Sequence, residues 1–427
     1  MKTSIINLSS YIKQLDAISI MLYGLYCVFV GDLLHNYIII DNKIVRIFNI
    51  IGILFVILGF YNRKKNFHNI SLGVKSTVKL LYAVCIINFL IGIFLYFAVE
   101  HQAIGWLMQR NYFVWTYLMF FLFTIEFNLS DLNKIFRFAL LYVVTSVLFM
   151  LYFFNDFFLR AADLKSILGI EGFSSYLYGR PQEPGAMLYP IAFFLVYLSN
   201  IKKRWKYVIL VAFIFSILAA LLQGRRSSSF KTIAYFVIPF LVYHFHSFVK
   251  FLKILPAIFI VLYIFVHFSF SNFIEDHFTI LASRIDQDTR SGTENDFFYD
   301  MHDVDWIFGR GLTGTFVSPS VQNIDKLHRT EIETGYLNII LHGGLAMLLP
   351  LLCIMLYASY MGLTKSRNLF CKLCGAFSMF YALGMYKLGG NIGLSLNGFM
   401  LVCAARICCS YSWRNLSDYE IINRLKK

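Results

Sequence analysis

The run YLNIILHGGLAMLLPLLCIMLYASY, residues 336–360, decides the fold class. It contains no Asp, Glu, Lys or Arg and exceeds the ~20 apolar residues that a helix needs to cross a bilayer. Lipid offers backbone N–H and C=O groups no partners, so such a run must satisfy them internally. Similar runs recur near 17–34, 44–61, 80–99, 112–127, 135–154, 186–200, 207–223, 231–245, 254–270, 370–388 and 392–409. They predict an all-α polytopic membrane protein of about twelve transmembrane helices, with 1–427 forming a single transmembrane domain. Composition agrees: the 427 residues are 58% hydrophobic, 18% aromatic and 15% charged. With a mean hydropathy of +0.64, the chain is too apolar for a soluble protein.

The net charge of +14 falls mostly in short connections. Arg63, Lys64 and Lys65 follow the second run; Lys202, Lys203, Arg204 and Lys206 follow the sixth; Lys365, Arg367 and Lys372 flank the tenth. The tail adds Arg414, Arg424, Lys426 and Lys427. The positive-inside rule places these segments and both termini in the cytoplasm, which explains the charge without a nucleic-acid partner. The first run begins after Asp16 and ends without a small-residue cleavage site, so it is expected to stay as a span. All eight cysteines lie in or beside apolar runs, which argues against a disulfide framework in the loops. Cys371 and Cys374 have CxxC spacing, but they open a hydrophobic run without a second ligand pair and read as small core residues.

The same alternation puts 155–185, 224–230 and 271–334 on the opposite, extracytoplasmic side. Topology disfavours positive charge there, yet these loops carry Arg160, Arg180, Arg225, Arg226, Arg284, Arg290, Arg310 and Arg329. Such arginines either pair with headgroups and neighbouring acids or serve an anionic ligand, for which the planar guanidinium fork is suited. Tyr178-Gly179-Arg180-Pro181-Gln182-Glu183-Pro184-Gly185 sets one arginine and one carboxylate in a rigidly bent entrance to a span; it also reads as a capped helix start. Gly224-Arg225-Arg226-Ser227-Ser228-Ser229 reads as a donor-rich turn between two spans.

Within the long loop, Phe297, Met301, Val304 and Phe308 recur at helical spacing opposite Asp296, Asp300 and Asp303. This predicts one short amphipathic helix over Glu294–Phe308 along the interface. Trp306–Leu312 follows as an apolar plug and a tight turn. His328-Arg329-Thr330-Glu331-Ile332-Glu333 then leads into the span, where Glu333, Asn338 and His342 are expected to face one cavity beside Tyr336. A lone buried histidine is also commonly a hydrogen-bonded core residue.

In their order and sidedness, Gly179–Pro190, Gly224–Ser229, Arg284–Leu312 and Glu333–Leu345 resemble the bacterial O-antigen polymerase and O-antigen ligase superfamily. These are inverting membrane glycosyltransferases of the C-type fold that use undecaprenyl-diphosphate-linked glycans. The resemblance implies a metal-independent reaction without cofactors. It further implies Arg180, Arg225, Arg226, Arg284, Arg290 and Arg329 as diphosphate ligands, with Glu183, Glu333 or His328 activating the acceptor. Where ligases carry a histidine before the Tyr-Leu span this chain has Glu333-Thr334, which favours a polysaccharide polymerase of the Wzy-dependent kind. The implied partners are lipid-linked glycans, membrane lipids and a chain-length regulator, and the implied location is the bacterial cytoplasmic membrane. A ligase is the alternative enzyme. A lipid-linked oligosaccharide flippase is the alternative of another class, with Gly389-Gly390-Asn391 as its broken-helix candidate.

Overall fold

A computed structural model describes residues 16–38, 42–63, 70–99, 114–152, 184–222, 226–244, 290–312, 314–320, 328–385 and 392–426. Among these, four helices are long and apolar enough to cross a membrane: Gly73–Leu90, Leu129–Tyr152, Lys203–Leu221 and Gly335–Lys365. Shorter apolar helices cover Ala17–Gly31, Ile47–Asn62, Leu369–Gly384 and Leu396–Cys409. The chain is a helical membrane protein. The predicted run at 254–270 and the loop segments 155–183 and 271–289 lie outside the described residues.

The helices are α1 (Ala17–Ile38), α2 (Asn42–Asn62), α3 (Leu72–Val99), α4 (Val114–Phe121), α5 (Leu129–Tyr152), α6 (Lys203–Leu222) and α7 (Arg226–His244). Two short helices, α8 (Ser291–Asp300) and α9 (Asp303–Phe308), and a two-stranded ribbon, β1 (Phe316–Val317) with β2 (His328–Arg329), precede α10 (Gly335–Lys365). The chain then runs through α11 (Leu369–Gly384), α12 (Leu396–Cys409), α13 (Tyr411–Asn415) and α14 (Asp418–Lys426). α1 and α2 pack closely at Gly24 and Gly52, where a Cβ on either would stand about 2.5 Å from the other's carbonyl oxygen.

One predicted span is not a continuous helix. Residues 184–200 form a 3-10 turn (Pro184–Met187), a helical turn (Tyr189–Ala192) and a second 3-10 turn (Leu195–Asn200). Pro184 and Pro190 remove amide donors, and lipid-facing backbone would not tolerate the resulting irregularity. The segment is instead enclosed by protein: Leu188, Ile191, Ala192, Phe193 and Phe194 are fully buried, with Phe193 against Phe377 and Tyr189 stacked on Tyr235. The expected turn at 224–229 is also corrected. α7 already begins at Arg226, so Ser228 and Ser229 are buried helical residues rather than turn donors.

A chain of polar contacts marks one end of the bundle. Arg63 donates to the Glu126 carbonyl at 3.1 and 3.0 Å and pairs with buried Asp131. Lys134 pairs with Asp16 at 2.9 Å. Trp413 Nε1 donates to the Phe127 carbonyl at 2.8 Å, and Asn368 Nδ2 donates to the carbonyls of Trp413 and Leu416 at 2.9 and 3.0 Å. Asn368 Oδ1 caps α11 by accepting from the Cys371 amide at 2.8 Å, and Asp418 adds a cap from outside the helix, accepting from the Leu369 amide at 2.8 Å and from the Tyr197 hydroxyl. The end of α2 and the beginnings of α5 and α11 therefore lie at this same end. Cys371 and Cys374 are fully buried in α11, as small core residues.

α10 is broken at Gly344, whose φ of 63° is left-handed. A break leaves carbonyls of the preceding turn without intrahelical donors. Two of them are met from elsewhere: Arg310 N–H donates to Leu341 O at 2.6 Å, and Asn88 Nδ2 of α3 donates to His342 O at 3.4 Å. α9 lies directly on the break, because a Cβ at Gly344 would overlap the Ile307 carbonyl and one at Gly309 would stand 2.5 Å from Gly343 N. Gly344→Ala is expected to lower stability by about 1–3 kcal/mol through strain and the lost close approach. Gly73→Ala, at a helical site with open space around it, should be neutral or gain up to ~1 kcal/mol. Thermal unfolding of the two purified variants in detergent checks the contrast.

Candidate functional site at the loop over the α10 break

The described residues of 290–334 build a small compact unit around Phe297, which is fully buried and meets Phe316 and Trp306 edge-on at 5.4 and 5.8 Å. The predicted single helix is two. α8 stops at Asp300, extended backbone follows at Met301 and His302, and α9 restarts with the His302 amide bonded to the Asp305 carboxylate at 3.3 Å. In consequence only Phe297 and Met301 of the predicted apolar face are buried, whereas Val304 and Phe308 are 68% and 59% exposed.

Arg310 is the unit's central cation. Its Nε bonds Asp305 at 2.9 Å, Nη1 bonds Asp300 and the Thr315 carbonyl at 2.8 Å, and Nη2 bonds the Asp300 carbonyl. Partial desolvation works against its charge, but these carboxylates outweigh that and hold its pKa above the usual arginine value. Asp296 accepts from the Ser318 hydroxyl at 2.8 Å and the Ser320 amide at 3.0 Å. Desolvation opposes its ionisation. The serine hydrogen bonds prevail and leave its carboxyl below the ordinary aspartate range.

The predicted site residues fall into three groups. Arg290, Arg329 and Glu333 come together at the start of α8: Arg290 Nε bonds Glu333 Oε2 at 2.8 Å, and Arg329 Nη1 donates to Thr293 Oγ1 at 3.4 Å. His328 is exposed beside them on β2. Glu294 accepts from the Thr334 hydroxyl and so ties α8 to the entry of α10. Tyr336, Asn338 and His342 form a second group inside the bundle. Tyr336 donates to the Ala382 carbonyl, Asn338 Oδ1 accepts from the Ile332 amide at 3.3 Å, and His342 Nδ1 contacts the Asn338 carbonyl at 2.9 Å. Glu333 does not share their face as expected, because α10 begins only at Gly335 and the Glu333 side chain stays 69% exposed. Arg180, Glu183, Arg225, Arg284 and the Arg226 side chain lie outside the described residues.

Sequence reading missed Thr293, Glu294 and Asn88. The first two are ordinary polar loop residues with no spacing signal. Asn88 had one, as a lone amide within Ile86-Ile87-Asn88-Phe89, where a polar group needs a buried partner. Compared with family models, with curated proteins and with solved structures, the chain matches none.

Arg310→Ala should remove the hub and destabilise the unit by about 1–3 kcal/mol, while Arg290→Ala, which breaks an exposed pair, should cost under ~1 kcal/mol. Limited proteolysis within 290–334 reports the difference as faster cleavage of the first variant alone. The depressed Asp296 carboxyl stabilises the folded ribbon fully above its unfolded titration near pH ~4 and loses that contribution as pH falls through its lower folded value. Amide exchange at Ser320 should accordingly gain an extra acid-side acceleration that Asp296→Asn abolishes.

Proposed function

We propose that the protein polymerises undecaprenyl-diphosphate-linked oligosaccharide repeat units at the outer face of the bacterial cytoplasmic membrane, with both termini inside. The observation that carries this reading is the convergence of Arg290, Arg329 and Glu333 at the positive end of α8, above a bundle of membrane helices. A diphosphate needs guanidinium partners, and an acceptor sugar hydroxyl needs a nearby base. The Arg290–Glu333 pair is exposed enough to contribute only ~0–1 kcal/mol, so a diphosphate can take over Arg290 at small cost and release the carboxylate.

In the proposed reaction the terminal hydroxyl of an incoming lipid-linked repeat attacks the anomeric carbon of the growing glycan. The new glycosidic bond forms as the bond from that carbon to the diphosphate oxygen breaks, with inversion. The hydroxyl proton passes to Glu333, with His328 as the neighbouring alternative, and undecaprenyl diphosphate leaves as the stable anion. Arg290 and Arg329, with Arg180, Arg225, Arg226 and Arg284 as the remaining candidates, neutralise the charge that grows on the leaving group.

Purified protein supplied with defined lipid-linked repeats tests the assignment. Losing one charge-assisted contact of ~1.5–3 kcal/mol predicts roughly 10- to 100-fold slower elongation for Arg290→Ala, and likewise for Arg180→Ala, at unchanged expression. Glu333→Gln should leave lipid-linked substrate binding intact while elongation stops. Normal polymer from all three variants refutes the reading. A knockout that accumulates unattached lipid-linked polymer indicates a ligase instead, and one that traps repeats on the inner leaflet indicates a flippase.

A further inference from the structure

α9 presents an apolar face that the proposed chemistry does not use. Val304, Ile307 and Phe308, at i, i+3 and i+4, share one side of the helix and are 68%, 50% and 59% exposed. The opposite side is spoken for: Trp306 stacks on Phe298 at 5.6 Å, and Asp305 holds Arg310.

The height of α9 in the bundle follows from its contacts. Ile307 and Gly309 lie on the α10 break at Gly343 and Gly344. From Leu345 to Lys365 the rest of α10 rises about 31 Å, which matches the ~30 Å hydrocarbon layer. The end of α10 lies at the polar end of the bundle, where Arg367 N–H donates to the Arg414 carbonyl at 2.9 Å. That length puts the break near the far boundary of the hydrocarbon, where Asn88, 16 residues along α3, also reaches it. Below it α10 shows an exposed apolar stripe at Leu345, Leu349, Leu356 and Tyr360, the side it turns to lipid. Leu345 adjoins the glycine on which the Ile307 carbonyl rests, so α9 lies at the end of that stripe.

We infer that α9 is an interfacial anchor, with Val304, Ile307 and Phe308 inserted into the lipid at the headgroup–acyl boundary on the side of the loop unit. The charged Asp303 and exposed His302 at its start remain in the headgroup layer. Lipid fits this face better than a sugar or a protein partner because its three exposed residues are all apolar, its charge is confined to the edge at Asp303, and it stands at the end of the lipid-facing stripe of α10. The anchor fixes the height of the start of α8 above the bilayer, and it stands or falls independently of the polymerase reading.

Nitroxide labels on Val304→Cys and, in a separate protein, Phe308→Cys test the anchor in full-length protein in vesicles of phosphatidylethanolamine and phosphatidylglycerol, with Cys353→Ser removing the exposed native thiol. Both label sites are exposed, so neither substitution opens the core, and each reports alone if the other fails to fold. Leu349→Cys serves as the lipid reference and Ser320→Cys as the water reference. Collision with oxygen should exceed collision with a water-soluble nickel complex at 304 and 308, giving ratios close to that at 349 and several-fold above that at 320. Ratios equal to the water reference overturn the proposal. So does an immobilised label shielded from both reagents, which would mean that a protein surface or a second copy covers the helix.

Discussion

The interruption of α10 at Gly343 and Gly344 is the constraint on which the rest of this architecture depends. Leu341 and His342 are buried in protein, where an unpaired carbonyl costs several kcal/mol. The chain meets the need with two donors from distant parts of the sequence, the Arg310 amide from the loop unit and the Asn88 side chain from α3. Each donor in turn must be held still. Arg310 is held by Asp300, Asp305 and the Thr315 carbonyl, and those partners exist only because α8 and α9 are folded against Phe297. Loop and bundle are therefore one cooperative object, and the arginine at 310 serves the fold rather than a ligand.

That assignment separates the arginines of the loop unit by what surrounds them. Arg310 is saturated by two carboxylates and two carbonyls. Arg290 pairs with exposed Glu333, and Arg329 donates to half-exposed Thr293. A guanidinium that is fully engaged cannot be recruited by phosphate oxygens without breaking the fold, whereas one held by a weak exposed pair can. The sequence offered no way to tell these apart, since all three are arginines in one polar loop.

The helical membrane class was legible because it rests on a single physical demand, the satisfaction of backbone in lipid, and residues 336–360 meet it visibly. The 186–200 segment escaped the same logic. Its apolar residues are apolar because protein surrounds them, and hydropathy cannot distinguish burial in protein from burial in lipid. The division of the loop helix at Met301 and His302 was hidden for a related reason: Phe297, Met301, Val304 and Phe308 keep helical spacing across a break that only the packing of Phe316 and Trp306 on Phe297 reveals. Of the proposed site, the clustering of Arg290, Arg329 and Glu333 could be anticipated only as a list of residue types. Their meeting depends on a two-residue ribbon and on Thr334 bonded to Glu294, neither of which has a sequence signature.

The cap that Asp418 places on α11 has a consequence for biosynthesis. The first turn of α11, at Leu369, is inserted while its partner carboxylate is still unmade, 49 residues downstream. Until α13 and α14 are made, Asn368 Nδ2 and the Leu369 amide lack the partners that the finished protein gives them, so this end of the bundle closes last.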